Sequence, residues 1–81
     1  MNYEKLILDL ITPIVDDKDG LSAKIMSTLD ENEILLHVYA NSEDVARLIG
    51  RRGMMASSIR QLMSIASRQD GKMITIKFES Y

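Results

Sequence analysis

The stretch LIGRRGMMASSIRQL, Leu48 to Leu62, decides the fold. An apolar pair runs straight into Gly-Arg-Arg-Gly. The apolar rhythm then resumes with no proline or aspartate to mark a turn. After the loop, Met55, Ile59, Leu62, Met63 and Ala66 recur at i, i+4, i+7, i+8 and i+11. That stripe predicts a helix from about Met54 to about Arg68. Before the loop, Asn41 or Ser42 can cap a short helix of about Glu43 to Ile49. Glu43 and Asp44 then stand against the positive end of its dipole. The loop therefore joins two helices.

Glycine has no Cβ, so it adopts positive φ and lets another backbone come close. Gly50 can end the first helix in the left-handed conformation, and Gly53 frees the entry to the second. Arg51 and Arg52 between them find few internal partners and project outward. The second helix also starts with unpaired N–H groups, which attract an anion. Two guanidinium groups, a close backbone approach and a helix start converge, which suits a phosphodiester backbone. A bare G-x-x-G also has a plain structural reading, a helix C-cap with solvated arginines.

Working outward, Asn2 can cap a helix beginning at Tyr3. Tyr3, Leu6, Ile7, Leu10, Ile11 and Ile14 follow helical spacing. Pro13 should end or kink that helix near Thr12, because proline cannot donate and crowds the previous turn. The segment DDKDG, Asp16 to Gly20, reads as a polar loop. Leu21, Ala23, Ile25, Ser27 and Leu29 alternate with Ser22, Lys24, Met26 and Thr28, which predicts a first strand, followed by a hairpin turn at Asp30 to Glu33. Ile34, Leu36, Val38 and Ala40 form the wholly apolar inner face of a second strand, with Leu35, His37 and Tyr39 on its outer face. Gln69 to Gly71 reads as a turn, and Ile74, Ile76 and Phe78 mark a third strand. The expected fold is α+β, a single domain over residues 1–81 in the order α-β-β-α-α-β. Three helices should cover one face of a three-stranded sheet.

Charge singles out the same window. Residues 1–44 hold ten acids and three lysines, and residues 45–69 hold all five arginines and no acid. A basic patch on an acidic body steers an anionic partner to one place. The bland reading is a chance cluster on a solvated face. The chain has 81 residues, 46% of them hydrophobic, enough for one compact core and too many for a disordered chain. It has no cysteine, so disulfide and thiolate chemistry are excluded. No apolar run approaches the roughly 20 residues that span a bilayer. MNYEKLILDL does not read as a signal peptide, and a cytoplasmic protein without membrane contact is expected.

The run LIGRRGMMASSI resembles the KH domain family, matching I-G-x-x-G-x-x-x-x-x-I through Ile49, Gly50, Arg51, Arg52, Gly53 and Ile59. The element order is similar to the prokaryotic, type II arrangement, and the resemblance covers nearly the whole chain. Within it, the chain looks like the family of small single-KH bacterial RNA-binding proteins of the KhpA (YlqC) type. The supporting residues are the N-terminal helix with Pro13, the D-V-x-R-x-I-G run of Asp44 to Gly50, and Ile59 with Arg60. Ala46 stands where that family often has glycine, and Met54 where a basic residue is common.

The resemblance implies single-stranded RNA in a groove of about four nucleotides, its backbone clamped by the loop. The RNA-binding residues implied are Arg47, Val45, Leu48 and Ile49 of the short helix, Gly50, Arg51, Arg52 and Gly53 of the loop, and Ile59 and Arg60 beyond it. The opposite wall is expected to be the second helix and the second strand, with bases read around Leu36 to Tyr39. The family further implies an RNA chaperone or post-transcriptional regulator, a homodimer, and a larger Jag-type KH protein as partner. The class that competes is a dimerisation module with no RNA role. Arginines in a glycine loop speak against it, since a dimer surface does not need them.

Other chemistry finds little support. His37 has no carboxylate or cysteine at ligand spacing, so neither a metal nor a general base is expected there. Ser57 and Ser58 lack a histidine in the pattern and are not nucleophiles. No Lys-Ser pair follows the glycines, so the loop is not a P-loop. Met54 and Met55 read as part core, part surface, or as a pliable contact. The second helix is too apolar to be the recognition helix of a helix-turn-helix. No enzyme, cofactor or metal is expected.

Overall fold

The computed structural model describes residues 2–26 and 28–81. The elements are α1 (Tyr3–Ile11), β1 (Ser22–Met26), β2 (Glu33–Ala40), α2 (Ser42–Ile49), a 3-10 turn (Arg51–Gly53), α3 (Met54–Gln69) and β3 (Met73–Ser80). The order is the expected α-β-β-α-α-β, the fold is α+β, and the arrangement is that of a type II KH domain.

Local chemistry explains the ends of α1. The Asn2 side chain accepts from the Lys5 N–H at 3.0 Å, satisfying one of the first-turn donors. The helix stops at Ile11, with Thr12 as its cap just before Pro13. Burial of Tyr3, Ile7 and Ile11 one turn apart sets the face that meets the sheet. The Tyr3 hydroxyl donates to the Asp70 carboxylate just past α3. Burial, with help from that carboxylate, pushes the phenol up to about 12.

The sheet has the order β1-β2-β3. β1 lies antiparallel to β2, pairing Ser22 with Tyr39 and Met26 with Leu35. β2 and β3 run parallel, from Glu33 opposite Met73 to Ala40 opposite Ser80. A parallel pair cannot be closed by a hairpin and needs a crossover of a dozen or more residues. α2, the 3-10 turn and α3 are that crossover, so the glycine loop is its midpoint. Ile34, Leu36, Val38 and Ala40 are buried at every second position of β2, as their alternation predicts. With Ile76 of β3 they meet Ile7 and Ile11 of α1, Leu48 of α2, and Ile59 and Met63 of α3 in one cluster. Each such side chain contributes on the order of 1.5–3 kcal/mol when fully buried.

Two expectations need correction. The first strand is five residues long and does not reach Leu29, which is fully exposed. Ser27, expected on its inner face, lies outside the described residues. The Thr28 hydroxyl donates to the Asp30 carbonyl at 2.8 Å, and Asp30 accepts from the Asn32 N–H at 2.8 Å, so turn chemistry begins before the run of acids. Ile25, near the end of this edge strand, is left exposed.

The second correction concerns α3. Its buried line is Ala56, Ile59, Met63 and Ser67, while Met55 and Leu62 face outward. Ala56 and Ser67 are small enough for the helix to lie close on its neighbours, and the Ser67 hydroxyl is satisfied by the Ser64 carbonyl at 3.2 Å.

Candidate nucleic-acid interface

The loop has a specific backbone. Gly50 ends α2 at φ 76° and ψ 176°, not in the left-handed helical conformation expected but in an extended positive-φ one open essentially to glycine alone, its N–H bonded to the Ala46 carbonyl. Arg52 follows at φ 57°, the one non-glycine residue with positive φ among those described, and Gly53 at φ 75°. A left-handed non-glycine residue costs roughly 1–2 kcal/mol, and such strain concentrates at ligand clamps. The Gly53 N–H closes the turn on the Gly50 carbonyl at 3.2 Å. No side chain caps α3, so its first turn presents backbone N–H groups beside the loop.

The two glycines are needed for different reasons. A Cβ on Gly50 would stand 2.7 Å from Met55 Cβ and 2.9 Å from the Met55 nitrogen, so α2 and α3 could not meet as they do. A Cβ on Gly53 would meet nothing within 4 Å. Gly53→Ala should therefore cost only the left-handed strain of roughly 1–2 kcal/mol. Gly50→Ala adds a backbone clash and should destabilise by clearly more. Urea unfolding of the two variants side by side checks the order, and equal losses would contradict this account of the loop.

Arg51 and Arg52 are exposed, as expected from their place between the glycines. Among the described residues no carboxylate pairs with Arg51, Arg52, Arg60 or Arg68. Arg47 differs. Its guanidinium lies 2.5 Å from a carboxylate oxygen of Asp44 and 3.5 Å from one of Asp16. These partners, the Asp44 hydrogen bond first, raise its pKa further. Arg47 thus serves the body's own acids, and its charge is largely neutralised. Asp44, expected as an acid facing a helix dipole, is completely buried. Its carboxylate also accepts the backbone N–H groups of Asp16 at 2.9 Å and Asp17 at 3.0 Å.

A groove of about 370 Å³ opens beside the loop. Ile49 and Gly53 form one lip, Ala56 and Arg60 of α3 the floor and flank, and Ile76 to Glu79 of β3 the other wall. The opposite wall is therefore β3 and not β2. β2 is the central strand, with hydrogen-bonded neighbours on both sides, so its backbone is already engaged. β3 is an edge strand whose outer side has no strand partner and keeps free N–H and C=O groups. Leu36 and Val38 are wholly buried, and Tyr39 points to the far face with His37, whose Nδ1 lies 3.2 Å from the tyrosine hydroxyl.

Of the residues singled out from the sequence, Ile49, Gly53 and Arg60 line this groove, and Gly50, Arg51 and Arg52 form its adjoining loop. Val45 is half-buried against the core, while Leu48 and Ile59 are inside it. Those three hold α2 and α3 in place. The sequence reading missed Ala56 and the β3 residues Ile76, Lys77, Phe78 and Glu79. The one available signal was Phe78 itself, a bulky inner-face residue at the end of the last strand. The groove mixes apolar walls with the cations Arg60 and Lys77 and one acid, Glu79. Such a cleft can take flat, partly apolar groups against its walls while a chain of negative charges follows its rim.

No helix is long and apolar enough to cross a membrane among the described residues. Nor do these residues contain a group of three or more His, Cys, Asp or Glu able to hold a metal ion.

Comparison with known proteins gives the same picture. The family model for the KhpA/KhpB KH domain matches residues 4–78. The RNA-binding protein KhpA of Streptococcus pneumoniae serotype 4 is 35% identical over 60 residues, which cover 74% of this chain and 73% of that protein. The RNA-binding protein KhpA of Bacillus subtilis is 28% identical over 80 residues, 99% of this chain and 94% of its own. That of Lactiplantibacillus plantarum is 36% identical over 62 residues, 76% and 71% of the two chains.

Proposed function

Because this chain belongs to the KhpA/KhpB family of KH domains, we propose that it is an RNA-binding protein that holds an unpaired strand in the groove between the Gly50–Gly53 loop and β3. The observation that carries this reading is the meeting of that groove with a loop whose two arginines pair with no carboxylate among the described residues. Arg51 and Arg52 take phosphates, which set position and carry no sequence information. Bases enter the groove, pack on Ile49, Ile76 and Phe78, and present their edges to the free side of β3. The walls hold one aromatic residue, so recognition is broad and rests on a few bases.

A groove that needs exposed base edges rejects a duplex. In competition against one labelled unpaired RNA at fixed salt, a perfect RNA duplex should compete at least about tenfold less well than an unpaired strand of equal length. Single-stranded DNA should compete in part, since phosphates supply much of the affinity. Equal competition by the duplex would replace the groove with a purely electrostatic patch.

Broad recognition of unpaired segments is the behaviour of an RNA chaperone or post-transcriptional regulator acting on many transcripts. A single short site is weak, so a homodimer or a larger KH protein of the Jag type as partner raises affinity by avidity. For the homodimer, the surface is the apolar flank of α3. Leu62 is 53% exposed and Ile65 58% exposed, with Met55 two turns before Leu62 on the same side. The rival surface on the outer sheet face offers Met73, with Leu35 and Met26 half-buried. Because Leu62 lies outside the core, Leu62→Asp should give a monomer in sedimentation equilibrium with an unchanged circular dichroism spectrum. A dimer that survives the change moves the interface elsewhere.

A further inference from the structure

The groove does not end at Arg60. That side chain also borders a second hollow of about 310 Å³ on α3, lined with Ser64, Ile65 and Arg68. Ser64 and Arg68 in turn border a third, of about 130 Å³, together with Lys72 and Met73 at the start of β3. The three hollows follow one another along α3 and share lining residues, from the glycine loop to the turn before β3. The groove by the loop contains Glu79, but no acid lines the second or third hollow. The acid nearest in sequence, Asp70, has its carboxylate bonded to the Tyr3 hydroxyl.

We propose that the RNA site extends along this line of hollows, so that a strand leaving the groove continues past Arg60 onto Arg68 and Lys72. The proposal rests on the groove reading above and lengthens it. Arg60 and Arg68 stand eight residues apart on one helix, about 12 Å along its axis. A stacked strand crosses that distance in about three or four nucleotides at 3.4 Å each. Serine and glutamine side chains between the cations supply hydrogen-bonding groups, and Ile65 and Met73 supply apolar contact for bases. At about 100° per residue, Arg60 and Arg68 lie roughly 160° and 120° around α3 from Leu62. Arg60 and Arg68 therefore stand off the Leu62 flank, with Ile65 between Leu62 and Arg68, and a dimer centred on Leu62 leaves both cations open.

The test compares randomised single-stranded RNAs of four and eight nucleotides, titrated at several salt concentrations against the full chain and against Arg68→Gln/Lys72→Gln. Both residues are exposed, and a matched melting temperature shows that the variant is folded. If two further phosphates are engaged, log K for the octanucleotide falls with log salt more steeply than for the tetranucleotide, by about 1.4. Slope is the chosen readout because extra binding registers on a longer strand raise affinity without changing it. The variant should lose that added slope and leave the tetranucleotide unaffected. Equal slopes for the two lengths, or equal losses on both in the variant, would overturn the extension while the groove reading stands. Octanucleotide binding that depends on Arg68 and Lys72 but not on Arg51 and Arg52 would instead fell the groove reading and keep the line of hollows. Failure of both lengths to bind would remove both.

Discussion

Changing Arg51 and Arg52 together to aspartate is expected to weaken binding of single-stranded RNA by at least about a hundredfold. Hydrogen bonds to charged groups are worth about 1.5–3 kcal/mol each, so two lost contacts remove about 3 kcal/mol or more. Every 1.4 kcal/mol is about tenfold in affinity. The new carboxylates add repulsion to that loss. Stability should hardly change, because both side chains are exposed and pair with no carboxylate among the described residues, and such surface substitutions usually stay within about 0.5 kcal/mol. Aspartate is also the right replacement for the backbone. Arg52 sits at φ 57°, and aspartate is among the residues that visit the left-handed region most readily. A β-branched residue there would confuse lost charge with a broken loop. The salt dependence should flatten as well, by about 1.4 in slope if two phosphates are released. An unchanged dissociation constant with native circular dichroism would place the site elsewhere on the protein.

The sequence made the loop legible because its signals are local. Two glycines, two arginines and a helix start need no knowledge of the rest of the chain. The Asn2 and Asn41 caps and the inner face of β2 were legible for the same reason, since a cap is read within four residues and a strand face within eight. The rotation of α3 was not legible. Hydropathy points to Leu62 and Met55, but the helix buries Ala56 and Ser67, whose small size sets the approach distance and which no apolar stripe marks. The groove wall was misplaced for a topological reason. Both β2 and β3 alternate, and nothing in that alternation says which strand is central and which lies at the edge. Only the parallel crossover settles it, by carrying α2 and α3 across to β3. Arg47 looked like one more cation of the patch because Asp16 is 31 positions away and because Asp44, three positions back on the same helix, reads from sequence as a solvated helix-start acid.

That pairing leads to the largest expected loss of stability, which belongs to Asp44→Ala. The Asp44 carboxylate is wholly buried and joins the loop after α1 to the start of α2 across 28 residues of chain. Removing it orphans the N–H groups of Asp16 and Asp17 and leaves the Arg47 guanidinium with only Asp16, at 3.5 Å. Breaking a hydrogen-bond network built on one buried carboxylate is among the few mechanisms that produce severe destabilisation, because two backbone donors and a guanidinium lose their shared acceptor at once. In a chain of this size the melting temperature should fall by about 10 °C or more. RNA binding should fall with it, since α2 carries Ile49 and Gly50 into the groove. Asp44→Asn should be intermediate. The amide keeps the shape and one acceptor oxygen, but its N–H₂ faces a donor that the carboxylate had satisfied.

Acidity separates charge from shape. The Asp16 N–H, and then the Asp17 N–H and Arg47, hold the Asp44 carboxyl below its ordinary value against the opposing effect of burial. A depressed carboxyl stabilises the fold fully above its unfolded value of about 3.9, and that contribution disappears as pH falls through the lower, folded value. The melting-temperature gap between the parent and Asp44→Asn should therefore be constant from neutral pH down to about 5 and should shrink below about 4. A gap that stays constant down to pH 2 would mean that the shape of the side chain, not its charge, fastens the loop to α2.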